Sequence, residues 1–127
     1  MGELLYADIT EKIIGAAFEV HKSLGKGLTE KTYQRALSMR LRDMGLDVEE
    51  EKYLPILFWN KIVGTQRVDL LVARKVIVEN KAIHRILNDH TAKLLATLRN
   101  TKYQLGLIIN FRSSVQVKRV INTIQNK

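Results

Sequence analysis

Apolar positions along the chain follow two rhythms, one of three to four residues and one of two, and the order in which they alternate outlines a fold. Over residues 9–24 they recur at helical spacing, with Ile13, Ala17, Val20 and Leu24 on one stripe and Ile14, Phe18 and His21 beside it. Asp8 or Thr10 can cap the start of this helix, and Gly25 and Gly27 break it. A second helix is predicted over residues 28–44, with Tyr33, Leu37, Leu41 and Met44 facing inward and Gly45 as its stop. The pattern then turns extended over residues 46–59. Val48 opens a strand, Glu49, Glu50 and Glu51 form an acidic run read as solvated, with the alternative that one member faces the site, and Pro55 confines the segment to a sheet edge or a break. Asn60 and Lys61 turn the chain into a strand over residues 62–72, and a second β-branched run follows at once. Asn88 and Asp89 are placed to cap a helix that ends near Arg99, its stripe being Leu87, His90, Leu94 and either Leu98 or Leu95. Residues 104–110 read as a buried strand, residues 115–121 as a partly exposed edge strand, and the tail at residues 125–127 as frayed. Helix, helix, three strands, helix and two strands imply an α/β fold, a mixed sheet flanked by helices. At 127 residues without repeats or linkers, this is expected to be one domain.

The polar interruptions of this pattern are concentrated in residues 67–83, which read as a β-hairpin. Side chains alternate on a strand, so Asp69 shares a face with Leu71, and Glu79 and Lys81 share one with Ile77. Both strands are otherwise apolar on both faces, where an unpaired charge costs several kcal/mol. If the turn centres on Arg74, Val72 lies opposite Val76 and Asp69 opposite Glu79, with Cβ atoms roughly 4.5 to 5.5 Å apart. Two carboxylates so placed repel each other, and a divalent cation bridging them would turn the repulsion into a binding site, with Lys81 aimed into the same space. A two-residue loop at Ala73 and Arg74 would instead slip the pairing by one and bring Val78 opposite Asp69. The turn holds neither Gly nor Asn, so both registers remain open. Glu30, three residues before Tyr33, lies on the inward stripe of the second helix. It is either a third acidic group converging on Asp69 and Glu79 or a carboxylate placed to suit the positive end of the helix dipole.

Composition narrows the chemistry. With no cysteine there are no disulfides, thiolate zinc sites or cysteine nucleophiles, which suits a reducing, cytoplasmic setting. The start of the chain lacks a basic segment followed by an apolar core, and Tyr6 stands where a myristoylation signal wants Ser or Thr. No apolar run approaches membrane-spanning length. His21 reads as a packed, hydrogen-bonded core residue rather than a metal ligand, and His84 and His90 have a spacing that suits no zinc site on a regular element. The serines show no nucleophile-elbow pattern. Twenty-one Lys and Arg against thirteen Asp and Glu give a net charge of +8, which favours a polyanionic partner such as nucleic acid. Arg40, Arg85, Lys93 and Arg99 are candidates for phosphate contacts, with ordinary surface charge as the competing reading for each. An exposed edge strand leaves room for a homodimer, although no residue compels one.

Several stretches resemble a known family. Gly27-Leu28-Thr29-Glu30-Lys31-Thr32-Tyr33 resembles the Gly-x-x-Glu-x-x-Tyr signature of the small bacterial and archaeal GxxExxY proteins, and the preceding Glu19-Val20-His21 and Leu24-Gly25 are similar to that family as well. The likeness continues through Val68 to Val72, Val76 to Lys81, Leu105 to Phe111 and Lys118 to Ile121. That family resembles a branch of the PD-(D/E)XK nucleases, whose restriction-endonuclease-like core runs helix, three strands, helix, strand. The resemblance implies a Mg²⁺- or Mn²⁺-dependent nuclease in which Asp69 and Glu79 hold the metal, Glu79 and Lys81 form the (D/E)XK pair, and Glu30 is the acidic residue of the first core helix. Lys81 would then orient or deprotonate the attacking water or stabilise the pentacovalent charge, and Glu30 would bind metal through water or accept a proton. Many relatives carry Gln and Tyr four apart on the helix after the hairpin, where this chain has Lys93 and Thr97. That departure supports an alternative: a catalytically inactive module that binds nucleic acid or a protein partner, with Lys81 in a buried ion pair to Asp69 or Glu79.

Overall fold

The computed structural model describes residues 4–123. Two helices, α1 (Ala7–Leu24) and α2 (Glu30–Asp43), precede three strands, β1 (Val48–Phe58), β2 (Lys61–Val72) and β3 (Val76–Lys81); α3 (Asn88–Arg99) then leads to β4 (Leu105–Asn110) and β5 (Gln116–Ile121). The predicted element order holds throughout. The tail at residues 125–127 lies outside the described residues.

The five strands lie side by side in chain order, antiparallel except for the parallel pair β3 and β4, whose connection is α3. This is the mixed sheet that the sequence predicts, with Pro55 on an edge strand where its missing amide disturbs no inner ladder. Alternation sends Leu70, Val72, Val76 and Val78 to one side, where they pack with Ile13, Ala17, Tyr33 and Leu37 of α1 and α2. Leu71, Ile77 and Ile108 go to the other side and meet Leu94 and Leu98 of α3. The continuous apolar runs of β3 and β4 follow from being covered on both faces.

Three expectations need correction. Phe18 and Leu24 are exposed, and the buried face of α1 is Thr10, Ile13, Ala16, Ala17 and Val20, because small residues let α2 approach closely. Neither Asp8 nor Thr10 caps that helix: Tyr6 is the cap residue at φ 55°, and the Thr10 hydroxyl donates to the Ala7 carbonyl. The acidic run is not simply solvated, since Glu49, Glu50 and Glu51 are half-buried and pair with Lys52, Arg42 and Lys31. Gln34 of α2 adds hydrogen bonds to Glu50 and Glu51, tying that helix to β1.

Candidate active site

The hairpin takes the register centred on Arg74. Val72 faces Val76, Leu71 faces Ile77 and Leu70 faces Val78, and the same count carried one step further sets Asp69 across from Glu79. Without Gly or Asn, the turn is made by Ala73 and Arg74 at φ 54° and 58°, closed by the Lys75 amide on the Val72 carbonyl and braced by the Ala73 amide on the Asp47 carbonyl. The ladder between β2 and β3 ends at Leu70 and Val78. There the Asp69 carboxylate accepts the Asn80 amide at 2.7 Å through Oδ2. Its Oδ1 accepts from Arg67 Nη1 at 2.9 Å, so a carboxylate only 8% exposed has both oxygens occupied.

Glu79 and Lys81 share the face of Ile77 and so project to the α3 side of the sheet, while Asn80 is buried on the opposite side. Burial raises the Glu79 carboxyl to about 8, and the negative charge of Asp69 adds to it; Lys81, the Asp69 backbone amide and Lys93 pull the other way. The outer end of β3 is fixed by Asn110 of β4, whose side chain accepts the Ile83 amide at 3.0 Å and donates to the Ile83 carbonyl at 2.9 Å. The Phe111 amide donates to the Lys81 carbonyl at 2.8 Å, so the lysine sits on a strand end held to β4.

Glu30 is the first residue of α2, at the end of the loop that follows α1. Gly25 and Gly27 adopt φ 76° and 101°, conformations that favour glycine. The Tyr33 hydroxyl donates to the Gly25 carbonyl at 2.6 Å and accepts the Leu28 amide at 3.3 Å. Its ring stacks on Phe111 with centroids 4.7 Å apart. Thr29 caps α2 through the Thr32 amide. The Gly-x-x-Glu-x-x-Tyr spacing thus has a mechanical reading: glycine bends the loop, tyrosine pins it from one turn further on, and the intervening glutamate is aimed.

These elements enclose a cleft of about 210 Å³ lined by Glu30, Gln66, Arg67, Asp69, Glu79 and Lys81, with His90, Lys93, Leu94 and Thr97 from α3 and Ile108 beneath. All four residues singled out as a chemical constellation therefore line one space, and Lys93 and Thr97 line it too. Glu30 departs from expectation in one respect: it is exposed at the wall of the cleft rather than buried against the sheet. Arg40, Arg85 and Arg99 are not among the lining residues. Arg40 is engaged by Glu19 at 3.0 Å and Asp43 at 2.9 Å, and Arg85 and Arg99 are exposed elsewhere. His21 is packed against Tyr33, but its Nε2 finds no hydrogen-bond partner among the described residues. His90 caps α3 by accepting the Leu87 amide on Nδ1 at 2.8 Å, in place of the Asn88 and Asp89 caps expected. Arg67 and Gln66 escaped the sequence reading. The signal for Arg67 was available, because it stands two positions before Asp69 and strand alternation returns both to one face.

A sequence model of the PD-(D/E)XK nuclease superfamily matches residues 7–120. The chain belongs to the PD-(D/E)XK nuclease superfamily. No curated protein and no solved structure matches it. The mixed sheet with helices on both sides is the restriction-endonuclease-like arrangement of this nuclease superfamily. Its members act on nucleic acid, generally with divalent metals. No described helix is long and apolar enough to cross a membrane.

The residues present fit such an ion. Asp69 and Glu79 offer hard carboxylate oxygens of the kind Mg²⁺ and Mn²⁺ prefer. Burial first, and the charge of Asp69 after it, raise the Glu79 carboxyl, and a cation between the two carboxylates would offset both. Among the described residues no group of three or more His, Asp or Glu side chains gathers as a ligand set, so water would complete the coordination, as is usual for Mg²⁺.

Proposed function

We propose that this chain is a metal-dependent nuclease of the GxxExxY branch, a single domain that hydrolyses phosphodiester bonds with Mg²⁺ or Mn²⁺ held by Asp69 and Glu79. Bound there, the cation would polarise a phosphoryl oxygen and make a coordinated water more acidic. Lys81 faces the same space and makes no ion pair among the described residues, so its amino group is available to orient the attacking water or to meet the charge that develops on phosphorus. Glu30, at the wall, can take up the water's proton. Arg67 and Lys93 can hold the substrate's phosphates, Arg67 by exchanging its contact with Asp69 for one with the scissile group.

The observation that carries this reading is that Lys81, within electrostatic reach of Glu79, makes no direct ion pair among the described residues. A binding module that had abandoned catalysis was expected to neutralise this lysine with Asp69 or Glu79, but Asp69 is taken by Arg67 instead. The competing reading, an inactive binder, draws on that same Arg67 pair and on Lys93 standing where relatives carry Gln.

The test is cleavage of single- and double-stranded DNA and RNA with and without Mg²⁺ or Mn²⁺, by the parent protein and by Glu79→Ala and Lys81→Ala. Activity is expected to need metal, to vanish in Glu79→Ala, and to fall at least about a hundredfold in Lys81→Ala with nucleic-acid binding retained. Equal cleavage by both variants would mark a contaminant. Salt-sensitive binding with no cleavage under any condition would establish the inactive binder.

A further inference from the structure

Among the described residues, the tip of the ribbon formed by β1 and β2 carries a run of exposed apolar side chains close together in sequence. Leu57, Phe58, Trp59, Ile62 and Val63 are all more than half exposed, and Trp59 at 83% is the most exposed large apolar residue described. Pairing between β2 and β3 covers only Leu70 to Val72, so the rest of β2 projects beyond the body of the sheet with β1 as its neighbour. A two-stranded ribbon of this kind is marginally stable and gains nothing in the isolated fold from showing tryptophan to water.

The backbone makes the choice of residue more pointed. Trp59 and Asn60 form the turn at φ 50° and 62°, left-handed positions that Asn and Gly occupy readily and that a bulky aromatic does not. Asn60 is an ordinary occupant. Trp59 is strained there, and its ring stacks on that of Phe58 with centroids 5.0 Å apart and planes 15° from parallel. A strained backbone supporting a flat, exposed aromatic pair is the mark of a contact surface.

We propose that Phe58 and Trp59 form a stacking platform for unpaired bases of a nucleic-acid strand whose phosphate backbone runs along β2 to the cleft. This deepens the nuclease reading and rests on it only in taking nucleic acid as the ligand. Phe58 ends β1 and Trp59 lies in the turn that opens β2, and β2 then leads to Gln66, Arg67 and Asp69 of the cleft, with Asp69 about ten residues or roughly 30 Å from Trp59. Lys61 next to the turn and the overall charge of +8 suit a polyanion. Stacking needs an exposed base face, which a single strand offers and the interior of a duplex does not. A second copy of this chain adding to the ribbon edge fits less well, because Pro55 lacks the amide that an added strand would need midway along β1.

The test uses the full chain in EDTA, so that no cleavage is required. Trp59 is the only tryptophan, and its emission reports on the platform directly. A thymidine oligonucleotide about twenty nucleotides long is expected to quench that emission, and an abasic strand with the same phosphates is not. Trp59→Asn is expected to weaken binding of the thymidine strand about tenfold or more while melting at or above the parent temperature, since Asn suits the turn. Phe58→Ala should weaken it in the same direction. Unchanged emission with undiminished binding by Trp59→Asn would overturn the proposal. So would a loss confined to self-association in sedimentation, or quenching by anionic phospholipid vesicles and not by the oligonucleotide. A protein that cleaves but shows no Trp59 response refutes the platform alone, and one that stacks but never cleaves refutes the nuclease alone.

Discussion

In the folded protein Glu79 has two reasons to keep its proton: it is largely removed from water, and Asp69 is its neighbour across the hairpin. Its folded-state value of about 8 lies above the ordinary 4.5, so between those limits the native state binds more protons than the unfolded chain. The contribution to stability is therefore complete below about pH 4.5 and is lost as pH rises through about 8, a few kcal/mol in all at roughly 1.4 kcal/mol per pH unit. Metal-free protein should accordingly unfold more easily in urea at about pH 9 than at about pH 5, and Glu79→Gln should flatten that dependence. Mg²⁺ requires the ionised form, so its stabilising effect should be larger at the higher pH and absent from the Gln variant. A parent protein with a flat profile across this window would show that Glu79 is not held in the environment described.

At the level of elements, the cleft depends on how closely α3 lies on β4, and Gly106 sets that distance. A Cβ added there would stand 2.8 Å and 2.9 Å from the two terminal methyls of Leu94 and 3.0 Å from its Cγ, so the leucine occupies the space a side chain would need. Gly106→Ala is expected to cost about 1–3 kcal/mol and to displace the helix carrying Lys93 and Thr97. Leu94→Ala reopens the space, so the double variant should be more stable than the sum of the two losses predicts, which a double-mutant cycle in denaturant can measure. Additive costs would mean that the two residues do not constrain each other. This contact was not legible in the sequence, where Gly106 is only a gap in a buried run. The strands themselves were legible, because burial on both faces leaves an unbroken apolar signal in β3 and β4, and so was the constellation of Asp69, Glu79 and Lys81, as charges that such runs do not otherwise contain. Alternation could place them on a face but could not choose the register, which the left-handed Ala73 and Arg74 decide. The pairing of Glu51 with Lys31 and of Arg40 with Glu19 depends on which helix meets which strand, information that no local pattern holds.

Across the whole molecule the charge is unevenly useful. In the cleft, Glu30, Asp69 and Glu79 stand against Arg67, Lys81 and Lys93, three formal negatives against three positives, so the excess of +8 lies outside it. That excess forms a general field toward phosphates rather than a reader of sequence. Affinity for nucleic acid should therefore fall about tenfold or more between roughly 50 and 200 mM salt, whatever the base sequence. Arg67→Ala should reduce the slope of log affinity against log salt by about one if its guanidinium meets a phosphate. The same substitution should leave the slope untouched if that guanidinium stays with Asp69 when nucleic acid binds. Measuring the slope for the parent and for Arg67→Ala, in EDTA and again with Mg²⁺ on a cleavage-resistant strand, separates the two states of Arg67, because the metal's own competition for phosphates is common to both proteins. A difference between the proteins that appears only with metal means that the ion has displaced Arg67 from Asp69 toward the substrate, and an equal difference in both conditions would sink that exchange.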